Sequence, residues 1–169
     1  ASIALARAYP ALRVDGFDID AESIAQARDN AAEAGVADRT SFEVRDAAGV
    51  RAAGAYDVVC LFDVLHELPQ PVEMLRASRA LRAPGGSVLV MDAKVADAFT
   101  APADEVERFQ YTTSVLHCLP ASLAEQPSAA TGTVMRPSTV RAYAGAAGFS
   151  GVEVLPIAER FHRLYRLTG

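Results

Sequence analysis

The residues of this chain whose types and places could do chemistry lie at the ends of apolar runs. Asp18 closes the run Val14-Asp-Gly-Phe-Asp18, which reads as a short buried strand followed by a helix from Ala21 to Ala34. A carboxylate at the C-terminal end of a parallel strand can accept hydrogen bonds from both hydroxyls of a ribose. Asp20 is the better candidate to cap the helix. Phe62 and Asp63 end a second apolar run, at the carboxyl edge where open α/β sheets bind ligands. Phe62 could serve there through its main chain or ring, with core packing as the competing reading. For Asp63 the competing reading is a helix cap. His117 and Cys118 adjoin on a predicted helix. Two ligands are too few for a metal site, which needs three or four, and no metal is expected.

The elements that must position these residues follow from periodicity and turn residues. Ser2 to Tyr9 reads as the tail of a helix stopped by Pro10. Leu12 to Ile19 is predicted as a strand, with Gly16 allowing close approach of a backbone or ligand. Ile24, Ala27, Ala31 and Ala34 repeat at helical spacing and Gly35 ends that run. Thr40 to Arg45 is a strand. Tyr56 to Phe62 is apolar almost throughout, as expected of a strand covered on both faces. Val72, Leu75 and Ser78 mark the inner face of a helix through Leu81. Pro84-Gly85-Gly86 then turns the chain into a strand over Ser87 to Asp92. This alternation predicts right-handed crossovers and a parallel sheet.

The segment 94–137 departs from the pattern. A helix is predicted near Asp104 to Leu119, with Val106, Phe109, Thr113 and Leu116 on one stripe. A stretch rich in Ser, Thr, Ala, Gly and Pro follows, of the kind that forms lids or binding loops. Ser138 is the predicted cap of a last helix. Gly151 to Ile157 and Phe161 to Leu167, three residues apart, must form an antiparallel pair.

With 169 residues, 51% of them hydrophobic and 22% charged, the chain reads as a single domain with a sizeable core. Its net charge is −5 and it has no Lys/Arg block, so nothing favours nucleic acid or an anionic membrane as partner. No apolar span reaches 18 residues. Cys60 and Cys118 read as buried thiols of a reducing compartment, which places the protein in the cytoplasm.

Four segments, in this order, resemble the class I S-adenosylmethionine (SAM)-dependent methyltransferases. Val14-Asp-Gly-Phe-Asp18 resembles the acidic motif after their second strand. Arg45-Asp46-Ala47 resembles the adenine-binding segment after the third. Tyr56-Asp-Val-Val-Cys-Leu-Phe-Asp-Val-Leu-His-Glu-Leu68 resembles the fourth strand and the turn beyond it. Leu81-Arg-Ala-Pro-Gly-Gly-Ser-Val-Leu-Val90 resembles the junction leading into the fifth. Glu125-Gln-Pro-Ser128 and Gly132-Thr-Val-Met-Arg-Pro137 are similar to a subgroup with an N-terminal winged-helix domain.

The resemblance implies a Rossmann-like α/β sheet, mostly parallel, closed by an antiparallel C-terminal hairpin. It implies SAM as cofactor and methyl transfer to O or N of a small molecule, with a homodimer as a candidate assembly. It also implies site residues. Asp18, with Ile19 beside it, would hold the ribose. Asp46 would accept from the adenine amino group, and the Ala47 amide would face a ring nitrogen. Phe62 and Asp63 would line the cofactor. His66 stands where plant-type small-molecule O-methyltransferases place their general base, with Glu67 as a carboxylate that could orient it; bracing the turn is its structural alternative. Two other functions fit the acidic motif. One is a non-catalytic SAM-binding or regulatory module. The other is an NAD(P)-linked reductase, against which the C-terminal hairpin and the lack of a Tyr-x-x-x-Lys pair count.

The family's first strand and glycine-rich turn would precede Ser2, so the chain reads as cut from something longer. The strands at 12–19 and 56–62 then either pair directly or stay apart. Each buried amide left without a partner costs about 1–3 kcal/mol. The 169-residue chain is therefore expected to be of low stability and to bind SAM weakly or not at all. Micromolar binding of SAM to this chain by calorimetry would overturn that expectation.

Overall fold

The computed structural model describes residues 1–50 and 53–169. The chain forms two compact units, the first spanning Ala1–Val50 and the second the remainder.

In the first unit, α1 (Ser2–Ala8) leads into β1 (Val14–Asp18), α2 (Ala21–Glu33) and β2 (Thr40–Val44). The Asp20 side chain accepts from the Ser23 amide and caps α2, as its position after the strand predicts. The two strands pair in parallel, with Gly16 opposite Phe42. A Cβ at Gly16 would lie 2.6 Å from the Phe42 ring. The close approach foreseen at Gly16 is thus that of an aromatic side chain, which fills the space the glycine leaves. Ala6, Ile24, Ala31, Val36 and Phe42 form the core of this unit.

The second unit holds β3 (Tyr56–Phe62), α3 (Pro71–Leu81), β4 (Arg82–Ala93), α4 (Glu105–Thr113), α5 (Leu119–Leu123), α6 (Pro137–Ala146), β5 (Gly151–Val154) and β6 (His162–Thr168). Its sheet has the order β3-β4-β6-β5. The β3–β4 pair is parallel, while β4–β6 and β5–β6 are antiparallel. The fold is α/β with a mixed sheet and the expected C-terminal hairpin. Strand β1 belongs to the two-stranded sheet of the first unit and β3 to the four-stranded sheet of the second.

Leu75 and Ser78 of α3 are buried as their spacing predicts, and Val88 and Val90 of β4 lie in the same layer as Tyr165 and Leu167 of β6. Helix α6 starts two residues earlier than expected. Pro137 occupies its first turn after Arg136, so Ser138 is inside the helix rather than its cap. Strand β3 is not covered on both faces. Leu61 is buried, but Val58 and Cys60 are exposed. Within its sheet β3 pairs only with β4, which leaves it as an edge strand. The expectation of two buried thiols therefore holds for Cys118 and fails for Cys60.

The Pro84-Gly-Gly turn is a bulge in the parallel ladder. Tyr56 is opposite Arg82 and Val58 opposite Ser87, so the intervening residues loop out of register. Gly85 adopts φ +81°. A Cβ on Gly86 would lie 2.7 Å from the Asp57 carbonyl oxygen, a backbone atom that cannot swing aside. We expect Gly86→Ala to lower stability by about 1–3 kcal/mol through overpacking. Chemical denaturation checks this, and an unchanged midpoint would show that the β3–β4 junction tolerates a side chain.

Candidate functional site

The acids of the first unit gather at the carboxyl ends of β1 and β2. Asp18 Oδ1 accepts from the Asp20 amide at 2.9 Å, while its Oδ2 has no hydrogen-bond partner among the described residues. The Arg45 amide donates to the Asp18 carbonyl at 2.7 Å and so ties the two strand ends together. The next acid, Asp46, accepts from the Ala48 amide at 2.9 Å and caps a short 3-10 turn over Ala47–Gly49. Hydrogen bonds to Ser23 hold the Asp20 carboxyl below its usual range. Ile19 is 69% exposed and Val44, which neighbours Asp18 across the ladder, is 51% exposed. A half-free carboxylate beside two exposed aliphatic side chains fits a ligand with vicinal hydroxyls and a flat apolar ring.

In the second unit β3 ends at Phe62, which is half-buried and opposite Met91. Asp63 turns the chain. Its φ is +58°, a left-handed conformation that an aspartate adopts more readily than most residues. Its amide donates to the Met91 carbonyl at 2.8 Å, and its carboxylate lies 3.6 Å from His162 Nε2. Asp63 does not cap a helix; the next one, α3, starts at Pro71.

The turn carries His66 inward until it is only 3% exposed. Its Nδ1 lies 2.8 Å from Asp92 Oδ1, and its amide donates to Asp92 Oδ2 at 3.3 Å. Asp92 is fully buried near the end of β4 and also accepts from the Ala93 amide. With a carboxylate as its neighbour, Nδ1 carries the proton and Nε2 is left with a lone pair. Burial pulls the His66 pKa down, but the hydrogen bond and charge of Asp92 outweigh it, and Glu67 and Asp63 add to the rise. The carboxylate that orients His66 is thus Asp92 and not the expected Glu67. Glu67 lies 3.8 Å from the other ring nitrogen. The signal for Asp92 was present in the sequence: an acid ending an apolar strand, the same signal that singled out Asp18.

The lid segment differs from its expectation. Helix α4 is capped by Asp104, continues through a π turn over Ser114–Cys118 and runs on into α5. The predicted apolar stripe does not face inward, since Phe109 and Leu116 are exposed. Glu107, Gln110, Ser114 and Cys118 are buried instead. The reason is specific pairing. Glu107 meets Arg136 at 3.1 Å and Gln110 donates to the Phe161 carbonyl at 3.3 Å. Arg136 also donates to the Ala96 carbonyl and to the Tyr111 hydroxyl. Packing against Gly132 adds a further constraint, because a Cβ there would lie 2.3 Å from Ser114 Oγ. The π turn buries Cys118 and leaves His117 exposed, with its Nε2 3.9 Å from a Glu67 oxygen.

The methyltransferase domain family matches residues 1–88. Among curated relatives, the ubiquinone biosynthesis O-methyltransferase of Sodalis glossinidius is 37% identical over 76 residues, which are 45% of this chain and 30% of that protein. The S-adenosylmethionine-dependent methyltransferase SibL is 25% identical, with a TM-score of 0.73 over 98% of this chain and 46% of its own. PigF, solved with SAH, is 20% identical, with a TM-score of 0.75 over 99% of this chain and 46% of its own. The chain thus spans less than half the length of these relatives. Its sequence match over more than half of its residues, on the fold those structures share, makes it a member of the methyltransferase domain family, the class I SAM-dependent methyltransferases.

Proposed function

We propose that the protein transfers a methyl group from SAM to an oxygen of a small molecule, with His66 as the general base. The observation that carries this reading is the buried His66–Asp92 pair, which leaves Nε2 as a proton acceptor. An O–H acceptor gains from a base, and an oriented imidazole supplies one. A nitrogen acceptor, the other expectation, has less need of it. The relatives' names, all O-methyltransferases among the curated matches, support oxygen.

When bound, SAM supplies an electrophilic methyl group on a sulfonium that leaves as a neutral thioether. The chain's own task is to align and shield the reactants. His66 Nε2 takes the hydroxyl proton as the oxygen–methyl bond forms, and Asp92 stabilises the resulting imidazolium. In the first unit Asp18 would hold the ribose through its open oxygen, with Ile19 as an apolar neighbour, and Asp46 and the Ala47 amide would address the adenine. In the second unit Phe62 and Asp63, at the end of β3, are the residues that would contact the cofactor. The whole chain is read as one methyltransferase domain, with 94–137 as the lid that selects the acceptor. No helix among the described residues is long and apolar enough to cross a membrane. We place the reaction in the cytoplasm, and a homodimer is the assembly to test alongside it.

These roles separate in mutants of the full-length protein. Asp18→Ala should weaken SAM binding about tenfold or more in calorimetry with the fold intact, since a bond to a charged group is worth about 1.5–3 kcal/mol. His66→Ala should lower turnover of a phenolic acceptor about 10²-fold or more while SAM affinity stays the same. Full turnover by His66→Ala would leave His66 a structural brace. Asp92→Asn should lower kcat in the same direction without changing KM for SAM.

A further inference from the structure

We propose that Glu67 and His117 form the route by which a proton taken up by His66 leaves the protein. The inference rests on the reading of His66 as the general base. Such a base receives one proton at each turnover and must lose it before the next. His66 is buried, and its Nδ1 is occupied by Asp92, a carboxylate with no solvent exposure. The proton therefore arrives and departs at Nε2. The acid that faces this nitrogen is Glu67, with its Oε1 3.8 Å away.

Exposure rises in order along these three groups. His66 is 3% exposed, the Glu67 side chain 37% and the His117 side chain 75%. The same Glu67 Oε1 lies 3.9 Å from His117 Nε2, so one carboxylate oxygen stands between two imidazole nitrogens. Local structure sets this up. His66 and Glu67 are consecutive in the turn beyond β3, and the π turn over Ser114–Cys118 buries Cys118 while it leaves His117 outside, beside Glu67. Each gap exceeds the usual hydrogen-bond reach by less than about 1 Å. A partly exposed glutamate has the side-chain freedom to close one gap and then the other.

The proton balance closes. The acceptor hydroxyl gives its proton to His66 Nε2 as its oxygen takes the methyl group, and the sulfur keeps the electron pair of the broken bond. The imidazolium passes the proton to the Glu67 carboxylate and regains its lone pair. The carboxylic acid so formed gives it to His117 Nε2, and His117 releases it to water or buffer. The surrounding groups favour this path. Burial disfavours a charged His66 ring, but Asp92, Glu67 and Asp63 together favour it, so the ring keeps its proton until a neighbour removes it. Asp63 contributes its charge only, since its carboxylate faces His162 at 3.6 Å. Cys118 is the other group beside Glu67 and His66. Burial pushes its thiol up, so it stays neutral and takes no proton.

The test needs neither SAM nor an acceptor, so its failure leaves the methyl-transfer proposal standing. In the full-length protein labelled with nitrogen-15, NMR reads the exchange of the His66 Nε2 proton with water at a pH where the ring is charged. The signal of the Nδ1 proton, bonded to Asp92, reports that the site is intact. We expect Glu67→Gln to slow the exchange about tenfold or more and Glu67→Asp to keep most of the rate. His117→Ala should slow it about threefold or more. Added imidazole buffer should restore the rate of His117→Ala but not that of Glu67→Gln, whose missing step is the buried one. A Glu67 that acts by charge alone would, when changed to Gln, lower the titration midpoint of His66 and leave the exchange unslowed. That outcome would overturn the proposal, as would an unchanged rate in His117→Ala or full rescue of Glu67→Gln by imidazole. Full turnover by His66→Ala would instead remove the base, and with it the proton to be exported.

Discussion

A carboxylate with no solvent exposure must be fully partnered, and the second unit is built around meeting that demand at Asp92. Three donors meet it: His66 Nδ1, the His66 amide and the Ala93 amide. Two of the three come from the turn beyond β3, so that turn must fold back over the end of β4. The left-handed Asp63 makes the reversal, and the hydrogen bond its amide donates to the Met91 carbonyl anchors it one residue before Asp92. The parallel register does the rest. Because Phe62 lies opposite Met91, the residues after β3 arrive beside the residues that end β4. Removing one member of such a buried pair costs about 3–5 kcal/mol, since the other is left charged and unpaired. The pair is therefore a constraint on the backbone as well as the carrier of the proposed chemistry.

That dual character explains what could be read in advance. Strands β1 to β4, helices α2 and α3 and the terminal hairpin follow from periods, caps and turn residues that act over a few positions. Asp20 and Gly148 announce a helix start and a helix end in this way, with Gly148 at φ +93°. Asp92 could be suspected from its place at a strand end. Its pairing with His66, 26 residues earlier, depends on a register that no local signal encodes. Glu67 was the natural guess because it is adjacent in sequence, but adjacency sends the two side chains toward different ring nitrogens. Cys60 was misjudged for a related reason. An apolar strand promises burial only when both its edges and faces are occupied, and neighbours in a sheet are a tertiary fact.

The lid shows the opposite failure, where a local rule was sound and lost. Val106, Phe109, Thr113 and Leu116 do share a helical stripe. An isolated amphipathic helix would bury it. Here the opposite stripe is held by an ion pair and a backbone hydrogen bond, from Glu107 to Arg136 and from Gln110 to Phe161. Arg136 is decisive because its planar fork reaches Glu107, Ala96 and Tyr111 at once. An arginine that pairs with a buried glutamate and donates to two further oxygens offsets the loss of a few exposed aliphatic contacts. The π turn begins at Ser114, which packs so closely on Gly132 that the glycine has no room for a side chain.

The acids of the first unit extend the argument to the proposed cofactor-binding residues. Asp18 and Asp46 each spend one oxygen on a nearby backbone amide, at 2.9 Å in both cases. Such a bond is also what a purely structural acid makes. The physical consequence runs the other way. A carboxylate oxygen has two lone-pair sites, so an intramolecular bond leaves most of its acceptor capacity intact while it fixes the rotamer. A ligand then meets an acid already aimed and loses little side-chain entropy on binding. Capping and ligand binding are thus not competing readings for these residues. The turn that the cap stabilises is what holds the remaining oxygen at the carboxyl edge of the sheet, next to the exposed Ile19 and Val44 that an apolar ring would cover.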